Sequence, residues 1–205
     1  MKTQVKICGI TSVADALTAA EAGADLLGLM FYDCSPRLIS LATAVEISRA
    51  LPPFVLRVGV FVNPDEALVT RAIAECGLGL LQFHGDEDSD FCTRFGLMSL
   101  KALRVRDAES LSQLKQFHTD AFLLDAYSPS GLGGTGEQFN WNLAIDARKF
   151  GKPIFLAGGL TPENVAAAVH QVQPFAVDVS SGVESAPGKK DATKVRAFIA
   201  AAKSV

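Results

Sequence analysis

Short apolar runs alternate along the chain with segments of helical periodicity, and this alternation occurs eight times. The apolar runs occupy residues 5–10, 26–31, 54–62, 78–83, 99–105, 121–126, 153–158 and 175–180. Apolar residues at helical spacing fill residues 12–23, 41–51, 65–76, 86–96, 107–117, 140–150, 161–172 and 191–204. Asn63, Thr161 and Asp191 stand where helix start signals are expected. Strict alternation of strand and helix predicts a parallel sheet.

The predicted strands are apolar almost without interruption, which indicates that both faces of the sheet are buried. A doubly wound sheet and a closed barrel both satisfy this condition. Eight strand-helix units favour the barrel, although a chain of 205 residues is short for that fold. With 49% apolar and 20% charged residues and no linker, we predict one domain over residues 1–205, a (β/α)₈ TIM barrel of the α/β class.

The charge balance and the cysteines exclude several classes of protein. Lys and Arg number 19 against 22 Asp and Glu, so the basic excess typical of nucleic-acid-binding proteins is absent. No apolar run approaches the roughly 18 residues of a membrane span, and the N-terminal residues do not resemble a signal peptide. The four cysteines include no Cys-x-x-Cys pair, which argues against a zinc module and a disulfide scaffold. We therefore expect a cytoplasmic enzyme or binding protein with reduced thiols.

Polar side chains interrupt the apolar pattern at the ends of several predicted strands. In (β/α)₈ barrels the chemistry takes place at the C-terminal ends of the strands, so these residues are the candidates for function. They are Lys6 and Cys8 on the first strand, Arg37 after the second, Asn63 after the third, Gln82 and His84 on the fourth, Asp125 on the sixth, and Asp178, Ser180 and Ser181 on the eighth.

Each candidate also has a simpler interpretation. A lone cysteine such as Cys8 is more often an inert buried thiol than a reactive group. Asp125 and Asp178 are costly to bury unpaired, so each is either satisfied by a neighbour or poised for proton transfer. His84 is more typical of a structural hydrogen-bonding residue than of a catalyst. Arg37 is either a surface arginine or a planar clamp on a carboxylate.

Two glycine-containing connections predict a phosphate site. Gly158 and Gly159 follow the seventh strand, and Ser180, Ser181 and Gly182 follow the eighth. These loops are neighbours in a barrel, and backbone N–H groups at such loops can bind an anion. The alternative is that the glycines only make tight turns.

The segment GLGGTG at residues 131–136 matches the letters of a dinucleotide-binding fingerprint. Four residues separate it from the preceding strand, and no acidic residue follows about 20 positions on, as that fingerprint requires. It therefore predicts no nucleotide cofactor. A glycine-dense loop in this position is either a lid over the site or a plain flexible loop.

With these residues assembled, the chain resembles the phosphoribosylanthranilate isomerase family nearly from end to end. The motifs that carry the resemblance are, in order, residues 5–11 (VKICGIT), 35–37 (SPR), 58–63 (VGVFVN), 81–85 (LQFHG), 123–125 (LLD), 133–136 (GGTG) with Phe139 and Trp141, 156–160 (LAGGL), and 177–184 (VDVSSGVE) with Pro187, Gly188, Lys190 and Asp191.

The resemblance implies an Amadori rearrangement that requires neither cofactor nor metal. N-(5-phosphoribosyl)anthranilate would become 1-(2-carboxyphenylamino)-1-deoxyribulose 5-phosphate, a step of tryptophan biosynthesis. By position, Asp125 would be the general acid and Cys8 the general base. These roles would require a raised pKa at Asp125 and a lowered one at Cys8, and we expect Lys6 on the same side of the strand to contribute to the latter.

The resemblance also implies how the substrate, a small phosphorylated sugar, would be bound. Arg37 matches the residue that contacts the anthranilate carboxylate, and Asp178 matches an active-site carboxylate near the sugar. The substrate-binding set is Lys6, Arg37, Gln82, His84 and Asp178, and the phosphate-binding set is Gly134, Gly158, Gly159, Ser180, Ser181 and Gly182. Residues 32–34 (YDC) depart from the family pattern, which often has small residues or proline there. The carboxylate of Asp33 would be unfavourable near an anionic substrate. The chain would act as a monomer or a homodimer.

Three alternatives remain at this point. Indole-glycerol-phosphate synthases give no reason for the N-terminal Lys-x-Cys-Gly, and histidine-pathway sugar isomerases would place Asp instead of Cys on the first strand. A noncatalytic phosphosugar-binding barrel would leave Cys8 as a packed core thiol.

Overall fold

The computed structural model describes residues 2–126 and 140–205, and its centre is a closed barrel of eight parallel strands in chain order. The strands are β1 (Gln4–Cys8), β2 (Leu26–Met30), β3 (Leu56–Phe61), β4 (Leu80–Phe83), β5 (Met98–Val105), β6 (Ala121–Ala126), β7 (Ile154–Leu156) and β8 (Ala176–Val179). β8 pairs with β1 and closes the barrel, with Lys6 opposite Asp178. The predicted (β/α)₈ barrel is confirmed.

Helices on the outside of the barrel cover the strands. They are α1 (Val13–Glu21), α2 (Leu41–Ala50), α3 (Glu66–Cys76), α4 (Ser89–Thr93), α5 (Trp141–Ala147), α6 (Val165–Val172) and α7 (Ala192–Lys203). The helix predicted at residues 107–117 is instead a 3₁₀ helix, Ser110–Gln116, and the one predicted at residues 86–96 shortens to the five residues of α4.

The three predicted helix starts have different outcomes. Asp191 caps α7, and its carboxylate accepts hydrogen bonds from the first-turn N–H groups. The cap of α3 is Asp65, because Asn63 has a left-handed backbone with φ of 47° and lies two residues too early. The regular helix α6 begins at Val165, but Thr161 caps the turn before it, because its hydroxyl accepts the Glu163 N–H and its carbonyl that of Val165.

A short antiparallel hairpin between β8 and α7 is absent from the sequence prediction. Its strands are β9 (Glu184–Ala186) and β10 (Lys189–Lys190), and the register places Glu184 opposite Lys190. Gly188 between the strands has φ of 78°, which glycine adopts without steric cost. The hairpin thereby places two charged residues against each other near the C-terminal end of the barrel.

The barrel interior divides into an apolar and a polar part. Its apolar part is filled by Leu26, Val58, Leu80, Leu100, Leu123 and Phe155. Charged and polar side chains are buried toward the C-terminal end, among them Lys6, Gln82, Asp125 and Asp178. Because a buried charge is costly without partners, this end is where function is expected. Within the described ranges, no helix has the length and apolar character needed to span a membrane.

Candidate active site

A cavity of about 380 Å³ opens at the C-terminal end of the barrel. It brings together most of the residues that the sequence predicted from separate strands: Cys8, Arg37, Gln82, His84, Asp125, Asp178 and Ser180. Lys6 is fully buried directly beneath them. Gly134 lies outside the described residues.

Cys8, Lys6 and Asp178 form a buried group where β1 meets β8. The Lys6 ammonium donates a hydrogen bond to Asp178 Oδ1 at 2.8 Å, and its positive charge acts on the neighbouring Cys8 thiol. Burial raises the pKa of the Cys8 thiol, and the positive charge of Lys6 offsets this effect only in part. The expected lowering of the Cys8 pKa is therefore wrong in direction, because desolvation of the thiolate outweighs the neighbouring cation.

His84 is a neutral imidazole beside Asp125. Burial, together with the positive charges of Arg104, Lys6 and Lys101, lowers the pKa of His84 to about 3. Its Nε2 lies 3.6 Å from Asp125 Oδ2, too far for a strong hydrogen bond and without a positive charge for an ion pair. Asp125 thus has a nearly buried carboxyl group next to a polar but uncharged ring.

A buried ion pair fixes the loop that carries His84. Lys101 Nζ lies 2.7 Å from Glu87 Oε2 and donates to the Gly85 carbonyl at 2.6 Å. Glu87 in turn accepts the backbone N–H of Asn63 at 2.7 Å and that of Gly85. Asn63, a candidate from its place at a strand end, therefore serves to connect the loops after β3 and β4.

The loops after β7 and β8 enclose a second, smaller cavity of about 60 Å³. Gly158 and Gly159 have φ of 85° and 66°, and a Cβ at Gly182 would overlap the Leu160 carbonyl oxygen. Glycine is therefore required at these positions both for backbone conformation and for the close approach of the two loops. Asp125 and Asp178 line both cavities.

Arg37 is held by an acidic partner that sequence reasoning missed. Its Nε and Nη2 donate to Glu184 Oε1 and Oε2, both at 2.8 Å, in a bidentate pair. Lys190 Nζ lies 2.8 Å from Glu184 Oε1 and donates to the Ser180 carbonyl at 3.2 Å. Glu184 ends one of the motifs that carry the resemblance, residues 177–184, but no role was assigned to it, because that role depends on the unpredicted hairpin.

Two further features of the cavity differ from the sequence-based picture. Arg104 lines it from the end of β5, and a charged residue near the C-terminal end of a predicted strand was a signal that was overlooked. Asp33, expected to disfavour an anionic substrate, is exposed and does not line the cavity, whereas Tyr32 and Cys34 do. Among the described residues, no cluster of three His, Cys, Asp or Glu side chains could hold a metal ion.

A buried thiol and a carboxyl group face one cavity, and a glycine-rich backbone cradle for an anion adjoins it. On a closed (β/α)₈ barrel this arrangement defines the class of phosphate-binding barrel enzymes. The family model described as N-(5'phosphoribosyl)anthranilate (PRA) isomerase matches residues 5–201. The chain belongs to this family, as the resemblance predicted.

Similar proteins cover the chain almost completely. The N-(5'-phosphoribosyl)anthranilate isomerase of Geotalea uraniireducens is 54% identical over 99% of this chain and 100% of its own length, and that of Trichlorobacter lovleyi is 56% identical over 98% of each. The crystal structure of phosphoribosyl anthranilate isomerase from Thermotoga maritima is 41% identical, with a TM-score of 0.91 over 99% of this chain and 100% of that one. Another such isomerase, solved in complex with reduced 1-(o-carboxyphenylamino)-1-deoxyribulose 5-phosphate, is 40% identical over 99% of this chain and 100% of that one, with a TM-score of 0.88.

Proposed function

We propose that this chain isomerises N-(5-phosphoribosyl)anthranilate to 1-(2-carboxyphenylamino)-1-deoxyribulose 5-phosphate in tryptophan biosynthesis, with Asp125 as general acid and Cys8 as general base. The observation that carries the proposal is the shared location of these groups. Both line the catalytic cavity, and Asp125 also lines the adjoining phosphate-sized pocket between the loops after β7 and β8.

The two groups suit the two proton transfers of the reaction. Asp125 would protonate the ring oxygen of the sugar, so that the C–O bond breaks and the nitrogen lone pair forms an iminium at the first carbon. The iminium makes the second carbon acidic, and Cys8 would remove its proton to give an enolamine, which becomes the ketone by tautomerisation. The raised pKa of Cys8 reduces the thiolate fraction at neutral pH but makes the thiolate a stronger base. Lys6 stabilises that thiolate through its positive charge.

The remaining residues would hold the substrate by its ends and its sugar. Arg37 would contact the anthranilate carboxylate, and backbone N–H groups of the loops at Gly158–Gly159 and Ser181–Gly182 would bind the phosphate. The Gln82 carbonyl oxygen and the Ser180 hydroxyl are buried without a hydrogen-bond partner within residues 2–126 and 140–205. Because such groups are normally paired, both are suited to polar groups of the substrate.

The neutral His84 and the charged Asp178 complete the proposed sugar site. An imidazole with a pKa of about 3 presents one donor and one acceptor over the whole physiological range. Asp178 is already paired with Lys6, so it can accept a sugar hydroxyl without being left as an isolated buried charge.

The decisive experiment is the decay of phosphoribosylanthranilate fluorescence with no added metal or nucleotide. We expect decay well above the spontaneous rate, and a loss of kcat by orders of magnitude in Cys8→Ser and Asp125→Asn with retained binding of a reduced product analogue. Cys92→Ser is the matched control, because Cys92 is buried on α4 and does not line the cavity. Binding without turnover by the wild type would indicate the noncatalytic barrel instead.

We also propose that residues 1–205 form one domain and that the protein is a homodimer. The first and last helices, α1 and α7, pack against each other, which supports a single domain.

The support for a homodimer is an exposed apolar surface at the N-terminal end of the barrel. Phe54 is 95% exposed there, beside an apolar cavity lined by Leu56, Met98 and Phe175. A solved structure that is 39% identical over 99% of this chain and 100% of that one, with a TM-score of 0.89, is described as that of monomers generated from the dimeric phosphoribosylanthranilate isomerase of Thermotoga maritima. A second copy of this chain would cover these apolar side chains.

A cytoplasmic location is part of the same proposal. All four cysteines are free thiols, and one of them, Cys34, is exposed. Exposed free thiols are typical of a reducing compartment.

A further inference from the structure

The buried carboxylate of Glu184 joins two parts of the site that are otherwise separate. One face of it receives the guanidinium fork of Arg37, and one oxygen also receives the Lys190 ammonium. The Glu184 and Lys190 side chains are 5% and 1% exposed, so solvent screens neither contact. None of the proton transfers proposed above uses either residue.

On one side, Glu184 determines the direction of Arg37. A guanidinium has five N–H donors in a rigid fork, and Glu184 engages the edge formed by Nε and Nη2. The stem of Arg37 passes Gly9, where an added Cβ would overlap its Cδ. The guanidinium is thus held at its stem and at one edge of its fork, which leaves the Nη1 group for a ligand in the cavity that Arg37 lines.

On the other side, Lys190 connects Glu184 to the loop after β8, which is the proposed phosphate loop. Its ammonium donates to the carbonyl of Ser180, the residue that opens the loop after β8. The hairpin that carries Lys190 is itself anchored, since the Lys190 N–H donates to Asp15 Oδ2 at 3.1 Å and the Thr11 hydroxyl to the Gly188 carbonyl.

The charges of the three side chains sum to +1, which suits a site for an anionic substrate. Burial acts to raise the pKa of Glu184, but hydrogen bonds from Arg37 and Lys190 outweigh it and hold the pKa below its ordinary value. Burial lowers the pKa of Lys190, against the attraction of Glu184. Neutralising Glu184 would leave two buried cations facing each other.

We propose that Glu184 is a positioning residue, which holds Arg37 for the substrate carboxylate and, through Lys190, holds the loop that binds the substrate phosphate. The proposal rests on the proposed function, because that function supplies the two anionic ends of the substrate. It predicts that Glu184 contributes to binding through these ends and not through the sugar or the proton transfers.

The test compares two unreactive ligands: the reduced product analogue and the same molecule with aniline in place of anthranilate. We expect the wild type to bind the carboxylate ligand more tightly, and Glu184→Gln to lose at least tenfold more affinity for the carboxylate ligand than for the aniline one. Arg37→Met should remove the same preference, and adding Glu184→Gln to it should not change the ratio of the two affinities further, because Glu184 reaches the carboxylate only through Arg37. Equal weakening of both ligands in Glu184→Gln, or a further loss of the preference when Glu184→Gln is added to Arg37→Met, would overturn the proposal.

Further variants keep the result interpretable. Glu184→Asp retains the charge but shortens the reach to Arg37, so it should show the same selective loss if the Gln variant does not fold. Lys190→Met should raise the inhibition constant of inorganic phosphate at least tenfold, and an unchanged constant would contradict the link to the phosphate loop. Glu75→Gln is the control, since Glu75 pairs with Arg71 on the exposed surface of α3.

The outcomes also separate this proposal from the function itself. In the turnover assay, Glu184→Asp should raise KM more than it lowers kcat, because the carboxylate and phosphate lie away from the reacting carbons. A wild type that binds both ligands but does not isomerise the substrate would refute the function alone. A wild type that isomerises and prefers the carboxylate ligand, with Glu184→Gln and Glu184→Asp unchanged in that preference, would refute the role of Glu184 alone.

Discussion

Gly28 on β2 leaves the space that the proposed catalytic thiol occupies. It is the register partner of Cys8 on β1. A Cβ added at Gly28 would lie 2.7 Å from Cys8 Sγ and 3.0 Å from both Cys8 Cα and Lys6 Nζ. Gly28 lies within a regular β-strand and not in the left-handed region, so alanine is compatible with its backbone and the perturbation of Gly28→Ala is purely one of space.

The size of the effect follows from these distances. Non-bonded heavy atoms are at their optimum about 3.5–4.0 Å apart, so the sulfur has to move by roughly 1 Å. A misplacement of about 1 Å can lower a rate about 10²-fold, or about 2.7 kcal/mol of transition-state stabilisation. Overpacking of this kind also lowers the free energy of unfolding by about 1–3 kcal/mol. We therefore expect Gly28→Ala to fold and to lose about two orders of magnitude in kcat.

Gly59→Ala on β3 is the matched control for this substitution. Its added Cβ would be as crowded, 2.6 Å from Leu78 Cδ1 and 2.7 Å from Phe61 Cε2, but neither neighbour lines the catalytic cavity. Urea unfolding should show similar losses of stability in both variants, while the fluorescence assay should show a large fall in kcat only for Gly28→Ala. Equal kcat values in the two variants would refute the argument that the position of the Cys8 sulfur limits turnover.

Three further predictions concern pH dependence, the phosphate site and assembly. Because burial raises the pKa of Cys8 and Lys6 opposes this, kcat/KM should rise with pH through the alkaline range, and Lys6→Met should move that rise to higher pH; a pH–rate profile with an unmoved rise would contradict the link. Gly182→Ala brings a Cβ against the Leu160 carbonyl, so the inhibition constant of inorganic phosphate should increase at least tenfold, and an unchanged constant would place the phosphate elsewhere. Phe54→Asp should convert the dimer to a monomer, as measured by light scattering. Its kcat should stay near that of the wild type, since Phe54 lies at the end of the barrel opposite to the catalytic cavity. A monomeric wild type, or a dimer unaffected by the substitution, would refute the proposed interface.

The strands were predictable because each is a buried apolar run bounded by polar residues. The first run, residues 5–10, overlaps β1 at Gln4–Cys8, and the sixth, residues 121–126, coincides with β6. The polar residues at strand ends were predictable as a group, because a parallel barrel brings all the C-terminal ends of its strands to one side. The sequence thus sufficed to place Cys8, Asp125 and Asp178 around one cavity.

The errors have local and tertiary causes that periodicity does not contain. Asp107 and Ser110 exchange side-chain and backbone hydrogen bonds, which compete with an α-helix and leave a 3₁₀ helix after them. Residues 86–96 lose most of their helix because Glu87 is engaged with Gly85 and Asn63 and Asp88 caps a helix that begins at Ser89.

The pairing of the Arg37 guanidinium with Glu184 depends on two residues 147 positions apart. No periodicity encodes such a contact, and the hairpin that creates it is only five residues of strand. The Cys8 pKa was misjudged for a related reason. The sequence shows the charge of Lys6 beside Cys8, but it does not show the burial that desolvates the thiolate and raises its pKa.

The pairing of β1 with β8 makes catalysis a reporter of completed folding. Lys6 and Asp178 are 172 positions apart and meet only across the seam where the first strand joins the last. A folding intermediate in which the first seven strands are paired but β8 is not docked therefore has the Cys8 thiol and Lys6 without the Asp178 carboxylate. Recovery of turnover during refolding should accordingly coincide with the final docking of the C-terminal strand and α7, and two inactive fragments divided between strands should regain turnover only on reassembly.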